Sequence, residues 1–311
     1  MGGRSKEVQR KGERVRKKRF STKVRLRSVV GVVKRKHNLD MAMLNVDGLN
    51  LSALSDIQKV LDKKKPDICI IIETHRREEE LGMDISIDGY NLHELRRSDT
   101  AGDKRGGGIA WYTRQVDGII FDEHSPEIVE QRNHFVNKER FWVKTHSASQ
   151  KTAICGAYFG FQAGDDRHGE WNDAMYATIH EEEAELRAQG YRIVMMADFN
   201  GHVGCEEGIG VHGNHPGVNR NGQRFLNFLH RTRMQHVNGM GQITKGLWTR
   251  QRGASKTIVD YSLISEEHAM TVKSLEIDDC GKHGGGSDHN WMFFFPGGQL
   301  CDEEKAAPRP E

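Results

Sequence analysis

The chain has 311 residues, 36% of them hydrophobic, with a formal net charge of only +2. Its longest apolar stretches, ICIII at 68–72 and WMFFF at 291–295, are far too short to span a bilayer. Five widely spaced cysteines (69, 155, 205, 280 and 301) contain no CxxC pair. They exclude a disulfide framework and a zinc knuckle and suit a reducing, intracellular setting.

The small net charge hides an asymmetry. Residues 1–37 carry 15 Lys/Arg against Glu7 and Glu13, whereas the remainder has 31 basic and 42 acidic residues. The composition of 1–37 predicts a disordered basic arm suited to nucleic acid or nuclear import. With no apolar leader at its start, the sequence reads as intracellular, nuclear or cytoplasmic, and not secreted.

Strand and helix signals then alternate. AMLNV (42–46) reads as a strand, followed by a helix over LSALSDIQKVLDKKK, with Leu54, Ile57 and Leu61 at helical spacing. Ser55 and Gln58 offer a capping box, and Pro66 a stop. DICIII (67–72) is a second strand; GGGIAWYT (106–113), FWVKTH (141–146) and TAICGAYF (152–159) are further extended runs. Residues 170–190 predict a helix with Trp171, Met175, Ile179 and Leu186 on one side and Gly190 as its terminator. The run IVMMA (193–197) is a buried strand that ends abruptly in Asp198-Phe199-Asn200. Asn221 is placed to cap a short helix with Phe225, Leu226 and Leu229 inward, and VDYSLIS (259–265) and WMFFF complete the strands. The elements imply a mixed-sheet α/β sandwich over 38–296, with a loose tail at 297–311.

Several of these strands run into polar residues. AMLNV contains Asn45 and leads to Asp47; DICIII leads to Glu73-Thr74-His75; Ser287, Asp288 and His289 directly precede WMFFF; and Asp260 opens VDYSLIS. In layered α/β proteins, ligands meet the ends of buried strands. Carboxylates without cysteine favour a hard cation such as magnesium, with manganese as a substitute. Several acids, an amide and a histidine beside such a cation suit phosphate-ester hydrolysis. The plain alternative for Asp198 and Asn200 is a turn that hydrogen-bonds its own backbone.

In chain order, LNVDGL (44–49), IIIETH (70–75), MADFNGH (196–202), VDYSLIS and SDH (287–289) resemble the motifs of the endonuclease/exonuclease/phosphatase superfamily, the DNase I-like proteins. GVNRNGQRFLNFL, LWTRQRG and IVDYSLIS look most like the endonucleases of non-LTR (LINE-type) retrotransposons; NVDGL looks like the apurinic/apyrimidinic endonuclease version. The resemblance implies a four-layer α/β sandwich of two mixed β-sheets flanked by helices. It implies an Mg²⁺-dependent endonuclease that nicks one strand of double-stranded DNA to leave a 3′-hydroxyl and a 5′-phosphate. A monomer is expected. Glu73, Asp47 and Asp288 would be metal ligands, and Asn45 and Ser287 would line the substrate site. Asp198 would orient or deprotonate water, Asn200 would hold the phosphate, and His289 would face the scissile phosphate with Asp260 as its partner. Tyr158 stands where the family has a phosphate-contacting tyrosine, but the usual Y-x-P turn is here Tyr158-Phe159-Gly160. Abasic-site repair and a catalytically silent scaffold are the alternatives. His75 reads as a surface histidine. Arg220, Arg224 and Lys256 lie near loops that could meet DNA phosphates.

Overall fold

In the computed structural model, the described residues are 39–76, 83–96, 107–115, 120–124, 139–146, 150–161, 167–204 and 217–297. The expected basic arm, the tail beyond 297, and Cys205 lie outside them. The described residues all fall in one compact unit.

Among the described residues there are fifteen strands, three α-helices and a short 3-10 helix, Glu266–Thr271. One sheet of seven strands takes β1 (Met41–Asn45), β2 (Ile68–Ile72), β3 (Tyr90–Leu95), β4 (Ile109–Arg114), β10 (Thr244–Lys245), β14 (Ser274–Ile277) and β15 (Met292–Phe295). Their order is β10-β14-β15-β1-β2-β4-β3. The second takes β5 (Ile120–His124), β6 (Arg140–His146), β7 (Lys151–Tyr158), β8 (Arg192–Asp198), β13 (Asp260–Ser265) and β9 (Met234–His236), in that spatial order. Both are mixed: β1 runs parallel to β2 and β7 to β8, and antiparallel pairs surround them. A small hairpin, β11 (Arg250–Arg252) with β12 (Ser255–Thr257), stands apart from both sheets.

Strand alternation builds the layers. Met41, Met43, Ile68, Ile70 and Ile72 of the first sheet share a buried cluster with Ile154, Val194, Met196 and Ile264 of the second, the core between the sheets. The intervening residues Ala42, Leu44, Cys69 and Ile71 face outward and pack with Ala53, Ile57 and Leu61 of helix α1 (Leu51–Lys64). On the far side, Ala153, Cys155, Ile193 and Met195 pack with Met175 and Ile179 of α2 (Arg167–Ala188) and Phe225 and Phe228 of α3 (Arg220–Thr232). Period-two side chains thus serve two cores from every central strand. The result is helix, sheet, sheet, helices: the four-layer sandwich the motifs implied. Gly156 marks a close approach of the sheets, since a Cβ there would lie 2.6 Å from Trp111 and 2.9 Å from Ile70.

Both proposed helix starts need correction. Helix α1 is capped by Asn50, whose side chain accepts from Ala53 N at 3.0 Å, and not by the Ser55/Gln58 pair, which falls inside the helix. Likewise Asn219, not Asn221, caps α3, accepting from Gly222 N. Asn221 is buried as the second residue of the helix, where its amide has other work. The C-terminal signals hold. Lys65 takes a left-handed conformation before Pro66, and Gly190 N donates to Arg187 O at 2.8 Å at φ +82. Among the described residues, no helix is long and apolar enough to cross a membrane.

Candidate active site

Parity along the strands explains which polar groups meet. Asn45 continues the inward row of Met41 and Met43. Asp198 continues that of Val194 and Met196, Tyr158 that of Ile154, and Asp260 that of Ser262 and Ile264. All four therefore point between the sheets, at the end where the apolar core stops. Asn45 bridges the sheets there, its Nδ2 lying 3.0 Å from Glu73 Oε1 and 3.0 Å from Asp198 Oδ2.

The loops that carry the remaining groups are stitched to one another. Gly48 N donates to Glu73 O (2.8 Å), Leu49 N to Thr74 O (2.9 Å), and His75 N to Gly107 O (2.9 Å). Asn45 Oδ1 accepts from Asp47 N at 3.0 Å. Six non-glycine residues among those described have positive φ. Two, Lys65 and Arg233, end helices; the other four, Asp47, Glu73, His75 and Asn200, all lie at this site. Left-handed backbone disfavours such residues and persists where the surroundings over-determine it, as at binding sites.

An open cleft of about 370 Å³ lies here, lined by Asn45, Asp47, Glu73, Tyr158, Phe161, Asp198, Asn200, Arg250, Arg252, Asp288 and His289. Eight of the ten residues named from sequence line it. The other two stand behind. Asp260, 1% exposed, is hydrogen-bonded to His289 Nδ1 at 2.9 Å, and Ser287 Oγ accepts from His289 N at 3.0 Å. Asp260 N itself donates to Thr249 Oγ1 at 3.1 Å. His289 Nε2 is thereby turned toward Asp198 Oδ2 (4.0 Å) and Asp288 Oδ1 (3.7 Å). Asn200 N donates to Asp198 Oδ1 at 2.8 Å, and Asn200 Nδ2 to Phe159 O at 2.8 Å.

The electrostatics follow from this packing. Burial pushes Asp198 well above the usual carboxylate range, with the negative charge of Asp260 acting in the same direction. Burial also disfavours a charged His289, but Asp260 outweighs it and the imidazole rises to about 9. For Glu73 burial again opposes charge, and hydrogen bonds from His75, Asn45 and Tyr158 win, leaving the carboxyl below its ordinary value. Tyr158 is raised by burial and by Glu73, so its phenol stays protonated and donates.

His75 is no plain surface residue: its Nε2 lies 3.0 Å from Glu73 Oε2 and its side chain is half-buried. Asp47, Glu73 and His75 offer ligand atoms within 4.8 Å of one another. Hard oxygen donors at a cleft mouth fit a divalent cation that keeps positions open for water or phosphate oxygens. Asp198, Asp260 and His289 also converge within 4.8 Å, but Asp260 keeps that imidazole protonated, and an imidazolium has no lone pair to offer a metal. Asp288 belongs to neither group. Arg250 holds it through Nε (2.9 Å) and Nη2 (2.8 Å). Arg250 and Arg252, inside the LWTRQRG stretch that carries part of the resemblance, and Phe161 have no site role assigned from sequence: they reach the cleft from a hairpin and a turn, not from the end of a buried strand. Of the basic residues noted near loops, Arg224 is paired with Asp173 at 2.7 Å.

No family model matches the chain, and no curated protein matches it. Solved structures do. The endonuclease domain of TRAS1, a telomere-specific non-LTR retrotransposon, is 15% identical with a TM-score of 0.55, covering 83% of this chain and 97% of that one. AP endonuclease LMAP from Leishmania major is 15% identical with a TM-score of 0.63, over 82% and 86%. The 3′ phosphatase NExo from Neisseria, solved with a product DNA hairpin, is 19% identical with a TM-score of 0.56, over 82% and 98%. The chain has the DNase I-like fold. At such low identity the likeness speaks for the architecture alone. In a DNase I-like sandwich, strand ends far apart in sequence share one rim, and the polar groups of this chain are gathered there.

Proposed function

We propose that the chain is a divalent-cation-dependent phosphodiesterase acting on DNA, an endonuclease of the retrotransposon type that nicks one strand to leave a 3′-hydroxyl and a 5′-phosphate. One observation carries the reading: Asp198 and the Asp260-paired His289 face each other 4.0 Å apart beside the Asp47/Glu73/His75 group, in one cleft. The three structural neighbours are by name a retrotransposon endonuclease, an AP endonuclease and a 3′ phosphatase, which supports DNA as substrate.

The residues divide the chemistry as follows. Asp47 and Glu73, with His75 behind Glu73, would hold Mg²⁺ or Mn²⁺, which neutralises phosphoryl charge. Asp198 has the raised basicity to take a proton from an attacking water. Asn45 and the Asn200 backbone fix its two oxygens, so that orientation is set before substrate arrives. His289, charged at neutral pH, donates from Nε2 to a phosphate oxygen as negative charge builds there. Tyr158 donates to Glu73 from the cleft wall.

The test is nicking of supercoiled plasmid in Mg²⁺ and in Mn²⁺, with chelator and Asp198→Ala as controls. Conversion to open circle by the native protein alone, with nicks that a polymerase extends directly, is expected. A folded protein that nicks nothing would overturn the reading. Abasic-site cleavage is a second reading, favoured by the NVDGL stretch at 45–49, which looks like the apurinic/apyrimidinic endonuclease version of the first motif. A preference of 100-fold or so for an abasic over an intact duplex, about 3 kcal/mol in transition-state binding, would install it.

A further inference from the structure

Four large hydrophobic side chains among the described residues are well exposed: Leu51, Ile120, Phe161 and Met270. Isolated apolar residues on a surface are ordinary. Phe161 differs in two ways. It is 52% exposed while lining the otherwise polar cleft. It is also presented by a backbone that buried amides hold in place. Asn172 clamps the preceding residue from both sides, Gly160 N donating to its Oδ1 at 3.0 Å and its Nδ2 donating to Gly160 O at 2.9 Å. Asn221 adds a donor to Gly160 O at 3.1 Å, and Asn172 Nδ2 reaches Asn221 Oδ1 at 3.0 Å. Asn221 Nδ2 also reaches Asn200 O at 3.4 Å, so the same network carries the loop that orients Asp198.

We propose that Phe161 is a specificity-determining residue, a stacking platform for the face of an unstacked nucleobase next to the scissile phosphate. The inference rests on the nuclease reading above and narrows it to a substrate class. A rigid aromatic ring attracts any base through its π-face, without sequence preference. In a paired duplex both faces of a base are already covered by its neighbours. Only a nucleotide in a single strand, a bulge or a frayed end offers a free face. Because the ring lines the same cleft as Asp198, a base stacked on it would bring the adjoining phosphodiester to the site.

The test is binding followed by fluorescence anisotropy in chelator, so that it does not depend on cleavage. The probes are an oligothymidylate and a strand of equal length built from abasic residues. Phe161→Ala is expected to weaken oligothymidylate binding roughly 5- to 150-fold, the range of base-on-aromatic stacking. Binding of the abasic strand should change less than about 2-fold, and Phe161→Trp should restore the loss, since its larger π-face stacks at least as well. In cleavage, the same substitution should lower kcat/KM on a bulged duplex more than on a fully paired one. Equal losses on both strands, or no loss on either, would overturn the proposal. A wild-type protein that cleaves nothing would instead sink the nuclease reading, and the binding comparison would still decide the role of Phe161.

Discussion

Asp260→Asn isolates the charge on His289. The native imidazole stands at about 9 against an ordinary 6.5, a difference worth about 3 kcal/mol in favour of the charged form. That balance is struck against burial, which acts the other way, so Asp260, with smaller help from Asp198 and Asp288, outweighs burial. With a neutral amide in its place, burial is expected to return the imidazole to below neutrality. At pH 8 the native enzyme would keep its imidazolium and the variant would not, and nicking should fall by about 10²- to 10⁴-fold. The ratio of variant to native activity should then recover as pH drops toward 5.5, where the variant histidine recharges. Nitrogen-15 NMR of His289 across pH 5 to 10 reads the charge directly, and plasmid nicking over the same range reads its consequence. The sign also extends to stability. A raised folded-state pKa contributes stability that is complete below about 6.5 and is lost as pH rises through about 9. Thermal unfolding of the native protein should lose this contribution over that window, and Asp260→Asn should not. An Asp260→Asn protein whose His289 still titrates near 9, or an activity ratio flat with pH, would mean that Asp260 does not set the charge of His289.

Asp198→Asn should abolish nicking yet raise the melting temperature at pH 8. It removes a buried carboxylate whose ionisation burial and Asp260 both oppose; a lower melting temperature would contradict that electrostatic picture. Glu73→Gln should raise the Mg²⁺ concentration needed for half-maximal nicking by 10-fold or more, about 1.4 kcal/mol, and shrink the thermal shift that Mg²⁺ induces. An unchanged shift would place the cation elsewhere. Buried His236, pushed down by burial to about 4, should cost the fold about 3 kcal/mol as pH falls from 6.5 through 4, because the unfolded chain takes the proton first. His236→Phe should lose less stability over that window, as read by urea unfolding. Deleting residues 1–37 should weaken DNA binding and flatten its dependence on salt while leaving metal-dependent cleavage intact; an unchanged slope of log K against log salt would count against the arm.

The site residues were legible for a physical reason. Asn45, Asp198 and Asp260 interrupt apolar strands, and a polar residue at the end of a buried run stands out against its neighbours. The hairpin that brings Arg250 to Asp288 left no such mark. Its strands are three residues each, β11 and β12, and their side chains are largely solvated. The helix starts were missed because several side chains competed for one role. Asn50 and Asn219 differ from Ser55 and Asn221 only in which backbone N–H each can reach, a matter of geometry.

The sequence by itself determined the strands and helices with strong periodicity, the apolar rows that sort into layers, and the chemistry of the cleft: carboxylates, amides and one histidine without cysteine. Those features are local, so composition and spacing express them. Only the tertiary structure decided that Asn45 and Asp198, 153 residues apart, share a hydrogen bond, that His289 is charged by Asp260, and that Phe161 lines the cleft beside a Gly160 held by buried amides. Each of these depends on which face of one sheet meets which face of the other. The charge of a buried group is set by what packs against it, and no spacing along the chain records that.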